Sequence, residues 1–281
     1  MSAGPAAAII SALACTLVVS GAAAAAAAEN SDSPLAEPVR ATVWEGAIGF
    51  SARYQPEYSG SSQQVAKITP ALFLRYGRFT ITNASGFVTR RSDDVVRGLG
   101  IDIANDERLR VNLALRFDAG RSETTSTALT GVGDIKPTVR TRLNLGWRFP
   151  GPWRVGGSWS VDALGRGGGN FGDVSGGWEQ RVSPATVLSA GVFVSAAGDR
   201  YMQTYYGIND AQAARTGYAV YRPASGLRDA GLNLGLRMDL GDDWILLSGA
   251  GATRLLGPAA RSPLTGKRNG WGLSTGLAWR F

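Results

Sequence analysis

The chain has 281 residues, 44% of them hydrophobic, so it can bury one large core and is too apolar to remain disordered. It contains no histidine, which removes the commonest general base and the commonest metal ligand. Its formal net charge of +7 admits nucleic acid, an anionic lipid surface or a charged cavity as partner and does not choose among them.

Residues 1–28 carry no charged side chain, and the apolar run from Ala6 to Ala28 ends in small residues before the polar stretch NSDSP. This pattern reads as a secretory signal peptide, although no Lys or Arg precedes the apolar run. An uncleaved anchor helix is the competing reading, because about 20 apolar residues can span a bilayer. The alanine-rich end suits a signal peptidase better. Cys15, the single cysteine, lies inside this segment, so a mature chain is expected to have no disulfide, thiolate or cysteine metal site. Residues 29–41 follow as a short periplasmic segment, and 42–281 form the folded domain. No second apolar run is long enough for a transmembrane helix, so entry into a membrane requires a closed barrel.

From residue 42 onward the pattern has period two. Residues 42–54 place Trp44, Gly46, Ile48, Phe50, Ala52 and Tyr54 on one face. Weaker strand candidates follow at 66–77, 78–89 and 95–103. Residues 109–119 set Leu109, Val111, Leu113, Leu115 and Phe117 against Arg110, Asn112, Arg116 and Asp118. Residues 135–149 alternate Val139, Leu143, Leu145 and Trp147 with Lys136, Arg140, Arg142 and Arg148. Residues 153–163 repeat the pattern with Trp153, Val155, Trp159 and Val161. Candidates at 171–182 and 186–197 come next, then 230–240, 243–256 and 269–281. The register of 186–197 and 243–256 stays open, because both rows are apolar or small.

Connection lengths supply a second argument. Tight turns at Gly77-Arg78, 105–108, 150–152, 183–184 and 241–243 alternate with longer loops at 55–65, 90–94, 120–134, 164–170, 198–228 and 257–268. The expectation is an all-β fold: a transmembrane antiparallel β-barrel of about twelve strands, with short periplasmic turns and long extracellular loops. Such a protein resides in the cell outer membrane, surrounded by lipid and lipopolysaccharide. A secreted β-sandwich also alternates, but strand length, tryptophans on the apolar row and unequal loop lengths weigh against it.

Candidate chemistry is sparse. Without histidine, serine and aspartate catalysis lose their usual base. Lys67, Lys136 and Lys267 lie in no nucleophile motif. The paired carboxylates Asp93-Asp94 and Asp242-Asp243 read as solvated turns. GRGGGNFG (165–172) lacks the end of a phosphate loop and reads as a flexible outer loop. No basic–aromatic stripe suggests nucleic acid. An inward basic row of Lys136, Arg140, Arg142 and Arg148, with Arg110 and Arg116 nearby, is more informative. In an open barrel it favours anions. In a filled one it pairs with Asp118, Glu179, Asp229 and Asp239. The filled reading is preferred, because a twelve-strand lumen is narrow and loop 198–228 is long enough to fold in. Tyr201, Tyr205, Tyr206, Tyr218 and Tyr221 in that loop read as packing ahead of binding contacts. No catalytic residue, cofactor site or metal site is expected.

Several stretches resemble one family. They are YQPEYSGSS (54–62), ITPALFLRYGRF (68–79), GVGDI (131–135), the segment 201–240, RLLGPAARSPLT (254–265) and the final GLAWRF. Together they resemble the MipA/OmpV family of outer-membrane proteins, least so over 90–130. The resemblance implies a non-enzymatic barrel that acts as a scaffold between a murein transglycosylase and a murein synthase. The alternating Trp271, Leu273, Leu277, Trp279 and Phe281 resemble the signal read by outer-membrane assembly machinery. A narrow channel for small, anionic solutes is the alternative reading, and a surface adhesin a third.

Overall fold

A computed structural model describes residues 44–83 and 98–281. Twelve antiparallel strands form a closed barrel among these residues. They are β1 Trp44–Pro56, β2 Gln64–Tyr76, β3 Phe79–Thr82, β4 Gly98–Asn105, β5 Leu109–Asp118 and β6 Thr138–Arg148. The second half comprises β7 Trp153–Asp162, β8 Asn170–Arg181, β9 Thr186–Ala197, β10 Gly226–Leu240, β11 Trp244–Leu255 and β12 Asn269–Arg280. Each strand pairs with its chain neighbours, and β12 pairs with β1 from Ala47↔Arg280 to Tyr54↔Leu273. The expected signal peptide, the segment 29–41 and the later part of the strand expected at 78–89 lie outside the described residues.

The outer row is apolar and exposed. In β1, Phe50 is 66% exposed while its inward neighbour Ser51 is 4% exposed. Large side chains outside and small ones inside invert the order of a water-soluble core, and lipid is the solvent that makes this arrangement stable. Closure is the second requirement, because an open edge would leave N–H and C=O groups unpaired in hydrocarbon. None of the helices among the described residues is long and apolar enough to cross a membrane; the strands make the crossing.

One end of the barrel carries tight turns and the other long loops. At the turn end, Gly77 and Gly241 adopt φ of +57° and +72°, a left-handed conformation that a side chain disfavours. Trp44, Trp147, Trp153, Trp178, Trp244 and Trp279 lie near this end, six of the eight tryptophans in the chain. Pairs such as Trp153↔Trp178 and Trp244↔Trp279 join these rings into two aromatic arcs, over β6–β8 and over β11, β12 and β1. Trp159 and Trp271 lie toward the loop end.

The structure resolves the two ambiguous registers. In β9, Leu188 and Val192 face out while Ser195 and Ala197 are buried inside. In β11, Trp244 faces out and Ile245 faces in. Two boundaries differ from expectation. β6 starts at Thr138 and not at 135, because Pro137 has no N–H to give the ladder. β10 starts at Gly226 and not at 230, because a bulge between Leu227 and Asp229 reverses the alternation.

Part of the lumen is solid. Phe73, fully buried, packs with Ala47, Ala71 and Ala278 on the β1–β2–β12 side, with Leu247 against them.

Candidate functional site

The segment between β9 and β10 folds into the loop end of the barrel as a plug. It contains helices α1 (Asp199–Tyr206) and α2 (Asp210–Thr216), and a third short helix α3 (Gly257–Ala260) precedes β12. Helix α2 begins with a complete capping box, Asn209 and Gln212 bonding reciprocally, and ends at Gly217 with φ +74°. Met202 and Tyr206 bury against Ala197, Leu255 and Ala259. Ile208 buries with Leu129, Val132 and Leu264 from two other loops. Three loops therefore share an apolar core above the lumen.

Each of the five tyrosines expected to pack or to bind has an internal partner. Tyr206 is hydrogen-bonded to the Ser59 hydroxyl at 3.1 Å, Tyr218 donates to the Ala128 carbonyl at 3.1 Å and Tyr221 to the Pro258 carbonyl at 2.8 Å. Tyr205 donates to an Asp118 carboxylate oxygen at 3.1 Å. Tyr201 stacks on Tyr205 with ring centroids 4.4 Å apart and accepts from Arg228 at 3.2 Å. None of them is fully exposed.

Arg140 joins plug and wall. Its guanidinium pairs with Asp118 at 2.6 Å and donates to the Gly168 carbonyl at 2.9 Å. It also approaches the Tyr205 hydroxyl at 3.4 Å. The Gly167 carbonyl accepts from Thr204 of α1 at 2.6 Å. At Gly169, with φ +58°, a Cβ would sit 2.4 Å from the Tyr201 backbone nitrogen. The glycine-rich stretch read as a flexible loop is thus a seat for the plug. Nothing in the local pattern signalled this, because the contacts come from a segment some 30 residues away.

The rest of the basic row divides. Arg142 pairs with Asp173 at 2.8 Å, a partner the sequence reading missed. Arg110, Arg116 and Arg148 line the lumen. Lys136 does not join them: it precedes β6 in the loop and lines an outer cleft with Arg121 and Arg166. The acids named as partners are engaged, but only Asp118 pairs within the row; Glu179, Asp229 and Asp239 pair outside it. Glu179 pairs with Arg154 at 3.1 Å and Asp229 with Arg228 at 3.0 Å. Asp239 lies between Arg237 at 3.5 Å and Arg280 at 3.8 Å. Trp271, Leu273, Leu277, Trp279 and Phe281 all point outward on or just after β12, between 39% and 57% exposed.

The plug tyrosines make the loop end sensitive to alkali. Burial, then the Asp118 carboxylate, pushes the Tyr205 phenol up from 10.0 to about 12. Burial raises Tyr206 as well. A raised phenol favours the fold while it is protonated in both states, so its stabilisation is complete below pH 10 and is lost as pH rises toward 12. Thermal melts of the refolded barrel should therefore show stability declining across that window. Tyr205→Phe, with no proton to lose, should show a shallower decline. An equal decline in both proteins would contradict the assignment.

Beneath the plug lies a cavity of about 870 Å³, lined by residues of β4 to β10 with Arg75 of β2, and bounded at the loop end by Tyr201 and Tyr205. Among the described residues no cluster of acidic or cysteine side chains could hold a metal ion.

A protein-family model described as MltA-interacting protein MipA matches residues 48–281. No curated protein matches the chain at a significant level. Among solved structures, the NanC porin is 8% identical, covering 83% of this chain and 98% of that one, with a TM-score of 0.42. A bacterial polysaccharide outer membrane secretin is 11% identical over 85% of this chain and 99% of that one, with a TM-score of 0.43. An anion-selective porin from Comamonas acidovorans is 9% identical over 85% and 99%, with a TM-score of 0.38.

Proposed function

This chain belongs to the MltA-interacting protein MipA family, and from that membership we propose that it is a non-enzymatic scaffold. The protein is an outer-membrane β-barrel. In this reading its turn end faces the periplasm and holds a murein transglycosylase of the MltA type, bringing it beside a murein synthase. The observation that carries the reading is the plug. Three loops share its core and Arg140 ties it to the wall, which favours a barrel built to stay shut over one built for flux. A shut barrel still offers two faces. The turn-end face is short-looped and rigid, which keeps the entropic cost of docking low.

Affinity capture tests the reading. The tagged barrel, solubilised from outer membranes, should enrich a lytic murein transglycosylase over an unrelated twelve-stranded barrel handled identically. Equal recovery from both would sink the scaffold. The same preparation in planar bilayers should be electrically silent.

A further inference from the structure

The cavity beneath the plug has a charge imbalance that a shut scaffold does not need. It runs from the β4–β5 turn, at Asn105 and Arg108, to the underside of the plug at Tyr201 and Tyr205. Nine arginines line it against four carboxylates, and two of the nine, Arg154 and Arg228, pair with Glu179 and Asp229, which do not line it. Three of those carboxylates are already taken: Asp102 by Arg75 at 3.5 Å, Asp118 by Arg140 and Asp173 by Arg142. The fourth, Glu107, is exposed on the turn.

Among the described residues, Arg108, Arg110 and Arg148 have no ion-pair partner. Register brings them together. Leu109 pairs with Trp147, and the Arg148 N–H donates to the Arg108 carbonyl at 2.8 Å. Arg110 and Arg148 therefore lie half-buried on the inward rows at the turn end of β5 and β6, with the exposed Arg108 beside them in the turn that precedes β5. Like charges this close repel one another, and a partly enclosed guanidinium is poorly compensated by water. A planar fork of donors matches carboxylate and phosphate oxygens.

The space beside them is made by glycine. Gly146, Gly156, Gly177 and Gly191, one on each of β6 to β9, line the cavity. At Gly146 a Cβ would meet only the Arg110 Cβ, at 3.8 Å, an ordinary contact. Neither backbone conformation nor crowding demands glycine there. Its effect is to keep room opposite Arg110, to which it is directly paired.

We propose that the turn-end half of the lumen is a binding pocket for a small soluble oligoanion carrying two or more carboxylate or phosphate groups, entered from the turn end and blind at the plug. Arg108, Arg110 and Arg148 hold the anionic groups, and the glycine row accommodates the body of the ligand. The pocket is independent of the scaffold reading, since it needs no protein partner.

Calorimetric titration of the refolded barrel in non-ionic detergent tests it, with citrate and pyrophosphate as probes and trehalose as neutral control. One anion should bind per barrel, and trehalose should not. The stronger of the two probes identifies the group as carboxylate or phosphate. Joint replacement Arg110→Gln and Arg148→Gln should weaken binding roughly tenfold per arginine. Gly146→Leu keeps every charge and fills the space, so it should weaken binding as strongly. No binding to the wild type overturns the proposal. Unchanged affinity in a Gly146→Leu barrel that still migrates as a folded species overturns it too, because charge alone would then explain the attraction. If the double arginine variant does not fold, Gly146→Leu decides the question.

Discussion

Replacing Gly49 with valine should prevent the barrel from closing. A Cβ at this position would lie 2.0 Å from the Leu277 carbonyl oxygen and 2.6 Å from the Ala278 Cα. Both are backbone atoms of β12, so no side-chain rotation relieves the overlap. Gly49 pairs with Ala278, the third of eight paired positions in the seam that joins the last strand to the first. Forcing the strands apart there exposes two edges at once, and in hydrocarbon each unpaired backbone group costs several kcal/mol. Folded barrels migrate faster than boiled ones on a gel. The wild type should show that difference and Gly49→Val should lose it. Gly146→Ala is the control, since its Cβ meets nothing closer than 3.8 Å. A fast-migrating Gly49→Val would mean that the seam yields where its geometry says it cannot.

Removing the Arg140 side chain should open the barrel. This residue is 2% exposed and binds Asp118 at 2.6 Å and the Gly168 carbonyl at 2.9 Å. Its loss leaves the Asp118 carboxylate without its counter-charge, held by the Tyr205 hydroxyl and the Gly120 N–H. Breaking one partner out of a buried pair typically costs about 3–5 kcal/mol. That cost falls on the junction of wall and plug, where the apolar contacts alone must then hold α1 in place. Planar bilayers with wild-type protein should be silent, whereas Arg140→Ala should give stepwise conductance and a lower unfolding temperature. Arg140→Lys should give a partial effect, because an ammonium cannot bond the carboxylate and the Gly168 carbonyl in the same fork. Silence from Arg140→Ala, with melting unchanged, would show that the plug is held elsewhere.

The strands were legible because lipid and lumen impose opposite demands on alternate residues. β5, with Leu109, Val111, Leu113, Leu115 and Phe117 in one row and Arg110, Asn112, Arg116 and Asp118 in the other, announces its register outright. β2 does not, since Phe73 faces inward among apolar neighbours on both rows. Its inward position serves the filled side of the lumen, a tertiary fact without a local pattern. The β10 start was lost at the bulge, where parity reverses, and Lys136 was misplaced because Pro137 delays β6. The plug was expected from the narrowness of a twelve-strand lumen and the length of loop 198–228. Its core was not legible: Leu129, Val132, Ile208 and Leu264 come from three loops and follow no common period. The basic row was visible as composition on one face. Which arginines are paired depends on partners such as Asp173, two strands away, and only the closed sheet decides that.

The tryptophan arcs at the turn end have a mechanical consequence. Indole rings prefer the headgroup layer, so six of them at one rim fix the barrel's depth from that side. Among the described residues the opposite rim carries two tryptophans, Trp159 and Trp271, the latter against Tyr54 with ring centroids 5.5 Å apart. When the bilayer thickens or thins, the mismatch is therefore taken up beneath the loops, while the turn-end rim keeps a constant height above the leaflet it is moored in. Anything docked on that rim is held at a fixed standoff from the lipid surface.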